Sequence, residues 1–245
     1  MLISTNSKAK HQLLWNLITS FKPLFLAFIS ILVICTIVYV ASSLYPTLND
    51  VLKASLRTPW GIFTSIFVHS GFEHYSTNMI ELLVYFWIFF ITNIFLSKEE
   101  TEKRVSIFLK VIFLIAVTSN LLWIISMWMV FASQSSVLGA SGLVYASQGV
   151  VTGFAILNSL KLIELPRKDK KDRMEFLFFC LSNLVFVVIS IQVLVQSQVF
   201  LNVGAGVNVI VHGVSFFGAF FSVFLWNIFR QRHASKTQAE ATAAS

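Results

Sequence analysis

The chain has 245 residues, of which 56% are hydrophobic and only 12% charged, with a formal net charge of +7. A soluble domain carries about a quarter charged residues, and one soluble core could not hide this many apolar runs of spanning length. The composition therefore excludes a water-soluble enzyme and reads as one membrane domain. Cys35 and Cys180 lie inside apolar runs, where they read as small core residues and not as a disulfide.

Residues 1–22 are read as a cytoplasmic N-terminal segment, and the first apolar run covers 23–45. "VASS" (40–43) offers small residues, but the run before it is about twice a typical signal-peptide core, so it is read as a span. Residues 46–71 form the longest external segment. It contains Pro46, Pro59 and the half-apolar stretch "WGIFTSIFVHSGF", and is expected to lie in or on the outer leaflet with Trp60 at the interface. Further spans are expected at 72–96, 105–130, 137–160, 175–197 and 206–229, since a bilayer needs about 20 apolar residues per crossing. "SKEETEKR" (97–104) and "LPRKDKKDR" (165–173) read as polar loops between them, and the tail 230–245 as polar and disordered.

Sixteen of the eighteen Lys and Arg residues fall at the N-terminus, at 97–110, at 161–173 or at the C-terminus; only Lys53 and Arg57 fall elsewhere. Positive residues stay in the cytoplasm, so both termini are expected there. The charge run at 167–173 is a solvated loop that fixes topology, and no nucleic-acid partner is implied. The expected fold is an all-α membrane protein, a bundle of six transmembrane helices.

Polar side chains at membrane depth are costly and usually functional or paired. Those that matter are His69, His74, Asn78, Glu81, Ser141, Tyr145, Gln148 and His212. Spans two, four and six begin on the outer side. At a rise of about 1.5 Å per residue, His74, Asn78, Ser141 and His212 share one outer layer. His74, Asn78 and Glu81 share one helical face, and Ser141, Tyr145, Gln148 and Thr152 another. Beside the second stripe run Gly142, Ala146, Gly149 and Gly153, small residues that let another helix approach closely. Span six places His212, Ser215, Ala219 and Ser222 at helical spacing.

A serine hydroxyl is a poor nucleophile without a base to take its proton. His212 is the base this layer offers Ser141. Acyl transfer also needs donors for the oxyanion. His74, Asn78 and the unpaired N–H groups at the start of span four can supply them. Gly139, Ala140 and Gly142 keep bulk away from Ser141, so a peptide backbone can reach it. Alone, Ser141 or His212 would be taken for a packing residue; it is their company that changes the reading. His69 stays open between a structural hydrogen bond and a part in the site, and Glu81 reads as structural.

These residues resemble the rhomboid family of intramembrane serine proteases. The family's G-x-S-G motif is Gly139-Ala140-Ser141-Gly142, followed by Tyr145 one turn later. Its second-span motif, H-x₄-H-x₃-N, is His69, His74 and Asn78 in "HSGFEHYSTN", and the last-span histidine is His212. The "EKR" at 102–104 is also similar. The resemblance covers residues 23–229 in the minimal six-span form. It implies an intramembrane serine endopeptidase with Ser141 as nucleophile and His212 as general base, a dyad without a carboxylate. His74, Asn78 and the Ser141 backbone N–H would form the oxyanion hole, with Tyr145 packed against the His212 ring. Span five and the loop 198–207 would be the mobile gate and cap. The implied partners are transmembrane protein substrates and the lipid bilayer, in the cell membrane with the site near the outer face. No metal or other cofactor is implied.

Two departures stand out. The family's glycines three and seven residues after the last-span histidine are Ser215 and Ala219 here, which predicts looser packing. The Trp-Arg pair of the first external loop reads Trp60-Gly61, which puts the anchoring of that loop in question. Other intramembrane proteases fit poorly. Asp50, Asp169 and Asp172 all lie in loops, H-E-x-x-H is absent, and His69 and His74 are badly spaced for a shared metal. A transporter would show two related halves. The remaining alternative is a rhomboid-like pseudoprotease that binds membrane proteins without cutting them.

Overall fold

The computed structural model describes residues 4–94, 96–131, 136–163 and 209–243, together with scattered positions between 177 and 192. Among the described residues lie seven delimited α-helices, one 3₁₀ turn and two isolated β-bridges. The helices are α1 (Ser4–Leu44), α2 (Thr47–Leu52), α3 (Gly61–Thr64), α4 (Phe72–Asn93), α5 (Lys98–Phe131), α6 (Ser141–Ile163) and α7 (Val209–Ala243), with the 3₁₀ turn at Ser65–Phe67. Five of these, α1, α4, α5, α6 and α7, are long and apolar enough to cross a membrane. A helix pairs every interior backbone N–H with its own carbonyls, as a lipid environment demands. The expected fifth span at 175–197, the basic loop 165–173 and the cap 198–207 lie largely or wholly outside the described residues.

Burial sets the layout. The apolar window of α6 is 83% buried and that of α1 only 17%, which makes α6 the central helix and α1 a peripheral one. The most extensive packing of α6 is against α7, and α5 and α4 also pack against it. Its glycines explain the α7 contact. A Cβ on Gly149 would meet the Phe216 carbonyl oxygen at 2.2 Å, and one on Gly153 would come within 3.0 Å of Val223. Gly142 belongs to a different seam and packs on Ala116 and Ser119 of α5. An aromatic core fills the space between α4, α5 and α6, with Phe89 centred 4.4 Å from Phe108 and 5.9 Å from Phe154.

The two departures in packing find local answers. Ser215 is fully buried and donates to Ser119 Oγ at 2.9 Å, so it joins α7 to α5 by a hydrogen bond where glycine would allow only contact. Ala219 is also fully buried. The predicted looseness is absent because the close-approach glycines sit on the α6 side of the seam. In the segment 46–71, a Cβ on Gly61 would run into the Lys53 carbonyl oxygen, so no arginine fits there. The segment is anchored instead by Trp60 Nε1 donating to the Val51 carbonyl at 2.8 Å, Thr64 to that of Leu52 at 2.7 Å and Thr58 to that of Lys53 at 2.6 Å.

Three boundaries differ from the sequence expectation. The first helix starts at Ser4, not at residue 23: Pro23 lies inside it, and Phe21 and Leu24 on either side are fully buried in the core. Packing therefore carries the helix through the lost hydrogen bond. "SKEETEKR" is no loop, since α5 begins at Lys98 with Glu99 and Glu100 in its first turn, where acids suit the helix dipole. The tail is helical to Ala243. Its Ala, Gln, Lys, Glu and Arg are strong helix formers, and Lys236 sits 3.8 Å from Glu240 one turn away.

The end of the bundle remote from Ser141 is held by one buried arginine. Arg104 is 1% exposed. It bonds Glu100 at 2.9 Å, Asn93 Oδ1 of α4 at 3.0 Å and Asn158 Oδ1 of α6 at 2.7 Å. Glu100 also pairs with Arg230 of α7 at 2.6 Å. Three helices thus meet at a single guanidinium, and α7 joins them through Glu100.

Candidate active site

The segment before α6 is fixed from two sides. Ala54 and Val137 exchange backbone bonds of 3.0 Å each way, and the Gly139 N–H donates to the Ser65 carbonyl at 2.9 Å. Asn120 of α5 donates to Ser65 Oγ at 3.0 Å and so braces the same corner. Gly139 has φ +116°, a conformation that favours glycine. That turn lets the chain lie flat against α4. A Cβ on Gly139 would sit 2.6 Å from His74 Cε1, 2.7 Å from His74 Nε2 and 3.6 Å from Asn78 Nδ2.

The edge of the His74 ring and the Asn78 amide therefore converge on the backbone just before Ser141. His74 Nδ1 lies 3.1 Å from Ser70 Oγ, one turn back. With the Ser70 hydroxyl donating, the ring proton sits on Nε2, on the side of Gly139. Asn78 is 4% exposed, and among the described residues its amide nitrogen has no hydrogen-bond partner. A buried, unpaired donor is costly unless something occupies the space beside it.

His69 underlies this cluster. It is 2% exposed, its Nε2 faces the Ala140 N–H at 3.5 Å, and its ring stands edge-on to His74 at 5.3 Å and to Tyr75 at 5.5 Å. Burial, and then the neighbouring His74, push its pKa down to about 4, against a smaller opposing effect of the Phe67 backbone. A neutral ring keeps a lone pair for the Ala140 N–H. His69 thus lies under the motif and supports its backbone.

Ser141 is the first residue of α6 and is half-buried. One turn on, Tyr145 stacks on His212 of α7, with ring centroids 4.1 Å apart and planes 22° from parallel. The His212 ring is thereby held beside the helical face that carries Ser141. His74 and His212 are both half-buried, so the layer stays reachable from one end of the bundle. Gln148 and Thr152 continue the stripe into the core and are buried, while Glu81 is half-buried on its α4 face.

The structure brings His69, His74, Asn78, Gly139 and Ala140 into one cluster and Tyr145 and His212 into another; Ser141 lies between them in the chain. Ser65, Ser70 and Asn120 were not singled out by sequence. Ser70 had a usable signal, four residues before His74, whereas Ser65 and Asn120 act through contacts between residues far apart in the chain, which no spacing reveals.

Apolar helices of this length and a polar layer on the central one define an all-helical, multi-pass membrane protein. Residues 56–229 match the family model of the Rhomboid domain, and the chain belongs to the rhomboid family. The match begins after α1 and α2. No curated protein and no solved structure matches the chain.

Proposed function

We propose that this chain is an intramembrane serine endopeptidase that hydrolyses peptide bonds in or near transmembrane segments of other membrane proteins. Ser141 Oγ attacks the scissile carbonyl while His212 takes its proton. The tetrahedral oxyanion forms beside His74 Nε2, Asn78 Nδ2 and the free N–H groups of the first turn of α6. His212 then gives the proton to the leaving amine, and water attacks the acyl-enzyme with His212 again as base. Tyr145 keeps the imidazole in place through the stack. We take residues 23–229 as the catalytic unit and the site to lie near the outer face of the cell membrane; the Lys/Arg distribution supports that orientation.

The observation that carries this reading is the contact of Gly139 with both His74 and Asn78. Two side-chain donors meet the backbone that presents a serine, and the helix end beside them adds its own. A pure binding protein has no need of donors aimed at that spot. The test is cleavage of a model transmembrane substrate by reconstituted protein, wild type against Ser141→Ala. Equal cleavage by both discards the assignment. Labelling of Ser141 by a serine-reactive phosphonate distinguishes an enzyme from a pseudoprotease.

A further inference from the structure

We propose that the cleft between α5 and α7, at the Lys/Arg-rich end of the bundle, binds the phosphate headgroup of an anionic phospholipid. This goes beyond the proteolytic reading and does not depend on it. The cleft has a volume of about 500 Å³. Glu99, Glu102, Lys103, Ser106, Ile107 and Lys110 line it from α5, and Trp226 from α7. The last four of the α5 residues recur at helical spacing and form one stripe.

Lys110 is the telling residue. It is exposed, and it interrupts the apolar run "VSIFLKVIFLIAV" (105–117) twelve residues into α5. The expected span begins at residue 105, so at about 1.5 Å per residue Lys110 lies only ~8 Å inside it, near its polar end. An ammonium there is favoured where it finds an anion or reaches the interface. Helical side chains lean toward the helix N-terminus, which carries the Lys110 stem back toward Ser106 and Lys103.

The two acids that line the cleft are already matched, which leaves Lys110, among the described residues, as its uncommitted cation: Glu99 is 2.6 Å from Lys103, and Glu102 is 3.8 Å from Lys98. Glu100 is held inside by Arg104 and Arg230. Among the described residues none of these acids pairs with Lys110.

The opposite wall fits the rest of a lipid. Trp226 presents an apolar ring, and the Arg230 guanidinium lies 5.4 Å over it. A tryptophan beside cations marks the headgroup level of a bilayer. An acyl chain can lie along Ile107 and Trp226 while its phosphate meets Lys110 and Ser106. A soluble anion would meet the cations but leave the apolar wall empty, so the cleft favours the lipid.

The test uses the whole protein, released for native mass spectrometry from micelles holding equal amounts of phosphatidylglycerol and phosphatidylcholine. Phosphatidylglycerol is expected to be retained in preference. Lys110→Gln should lower its retention about fivefold, the weight of one lysine near a charged headgroup. Lys110→Arg should keep it, and so should Lys236→Gln, which removes an exposed lysine far along α7. If Lys110→Gln does not fold, Ser106→Ala serves in its place and should weaken retention. Equal retention of the two lipids overturns the proposal. So does an equal loss with Lys236→Gln, or displacement of the lipid by inorganic phosphate.

Discussion

Gly139 lies flat against the imidazole of His74, so close that a single added methyl would fall 2.6 Å from its Cε1 atom. Two constraints meet at this residue. The backbone needs φ +116°, and the ring occupies the space a side chain would take. Gly139→Ala carries a backbone penalty of about 1–3 kcal/mol and displaces His74. Under the proposed mechanism, losing one oxyanion donor is worth roughly 10²–10³ in rate. Cleavage by Gly139→Ala should therefore fall at least a hundredfold. A Ser70→Ala variant, which leaves the glycine intact but frees His74 Nδ1, should fall less. Substrate turnover, with circular dichroism to confirm helicity, checks both.

The seam between α6 and α7 yields a stability prediction that needs no assumption about chemistry. A Cβ at 149 would sit 2.2 Å from the Phe216 carbonyl oxygen, a backbone atom that cannot swing aside. Gly149→Val must separate the two helices, and overpacking of this kind costs about 1–3 kcal/mol or more. The melting temperature in detergent should drop by several degrees, whereas Gly213→Ala should leave it within error, because among the described residues nothing lies within 4 Å of that position. Equal effects of the two would contradict the packing described here.

His69 gives a pH prediction with a definite sign. Its folded pKa of about 4 lies below the ordinary histidine value of 6.5. The unfolded chain therefore binds a proton that the folded one refuses between those values, and stability rises with pH across that window. This contribution is fully present above 6.5 and is lost as pH falls toward 4. Melting temperatures of wild type and His69→Gln, measured from pH 4 to pH 7, should converge at the acid end of that range. Parallel curves would place the titration elsewhere.

The polar layer of the candidate site was legible in the sequence because chemistry concentrates it. Polar residues stand out in an apolar run, and His74 and Asn78 keep helical spacing, so one face could be named. The partnership of Tyr145 with His212 came from the resemblance, and the stacked rings agree with it. Boundaries were less legible. The first helix extends back beyond the apolar run that begins at residue 23, because packing of Phe21 and Leu24 carries it through Pro23. The tail looked disordered because it is polar, but its residues are strong helix formers and α7 was already nucleated upstream. Gly61 looked like a lost arginine, and only three dimensions show Lys53 and Ala54 filling the place where a side chain would go. The role of Ser65 at the Gly139 corner was unreadable, because it acts through its carbonyl and any residue has one.

Arg104 is the residue on which the far end of the bundle depends. Its guanidinium satisfies Asn93, Asn158 and Glu100 together and lies 4.8 Å over the Phe154 ring. Arg104→Met keeps much of the volume but leaves two buried amide oxygens without their donor and Glu100 with only Arg230. Breaking a buried pair from one side costs about 3–5 kcal/mol. Arg104→Lys should not restore the loss, since a point charge cannot serve three acceptors in the geometry of the planar fork. The double variant Arg104→Met/Glu100→Gln should recover part of it, because the buried carboxylate is removed along with its partner. Thermal unfolding of the three variants in one detergent decides the matter. A wild-type melting temperature for Arg104→Lys would mean that charge alone, and not the fork, holds α4, α5 and α6 together.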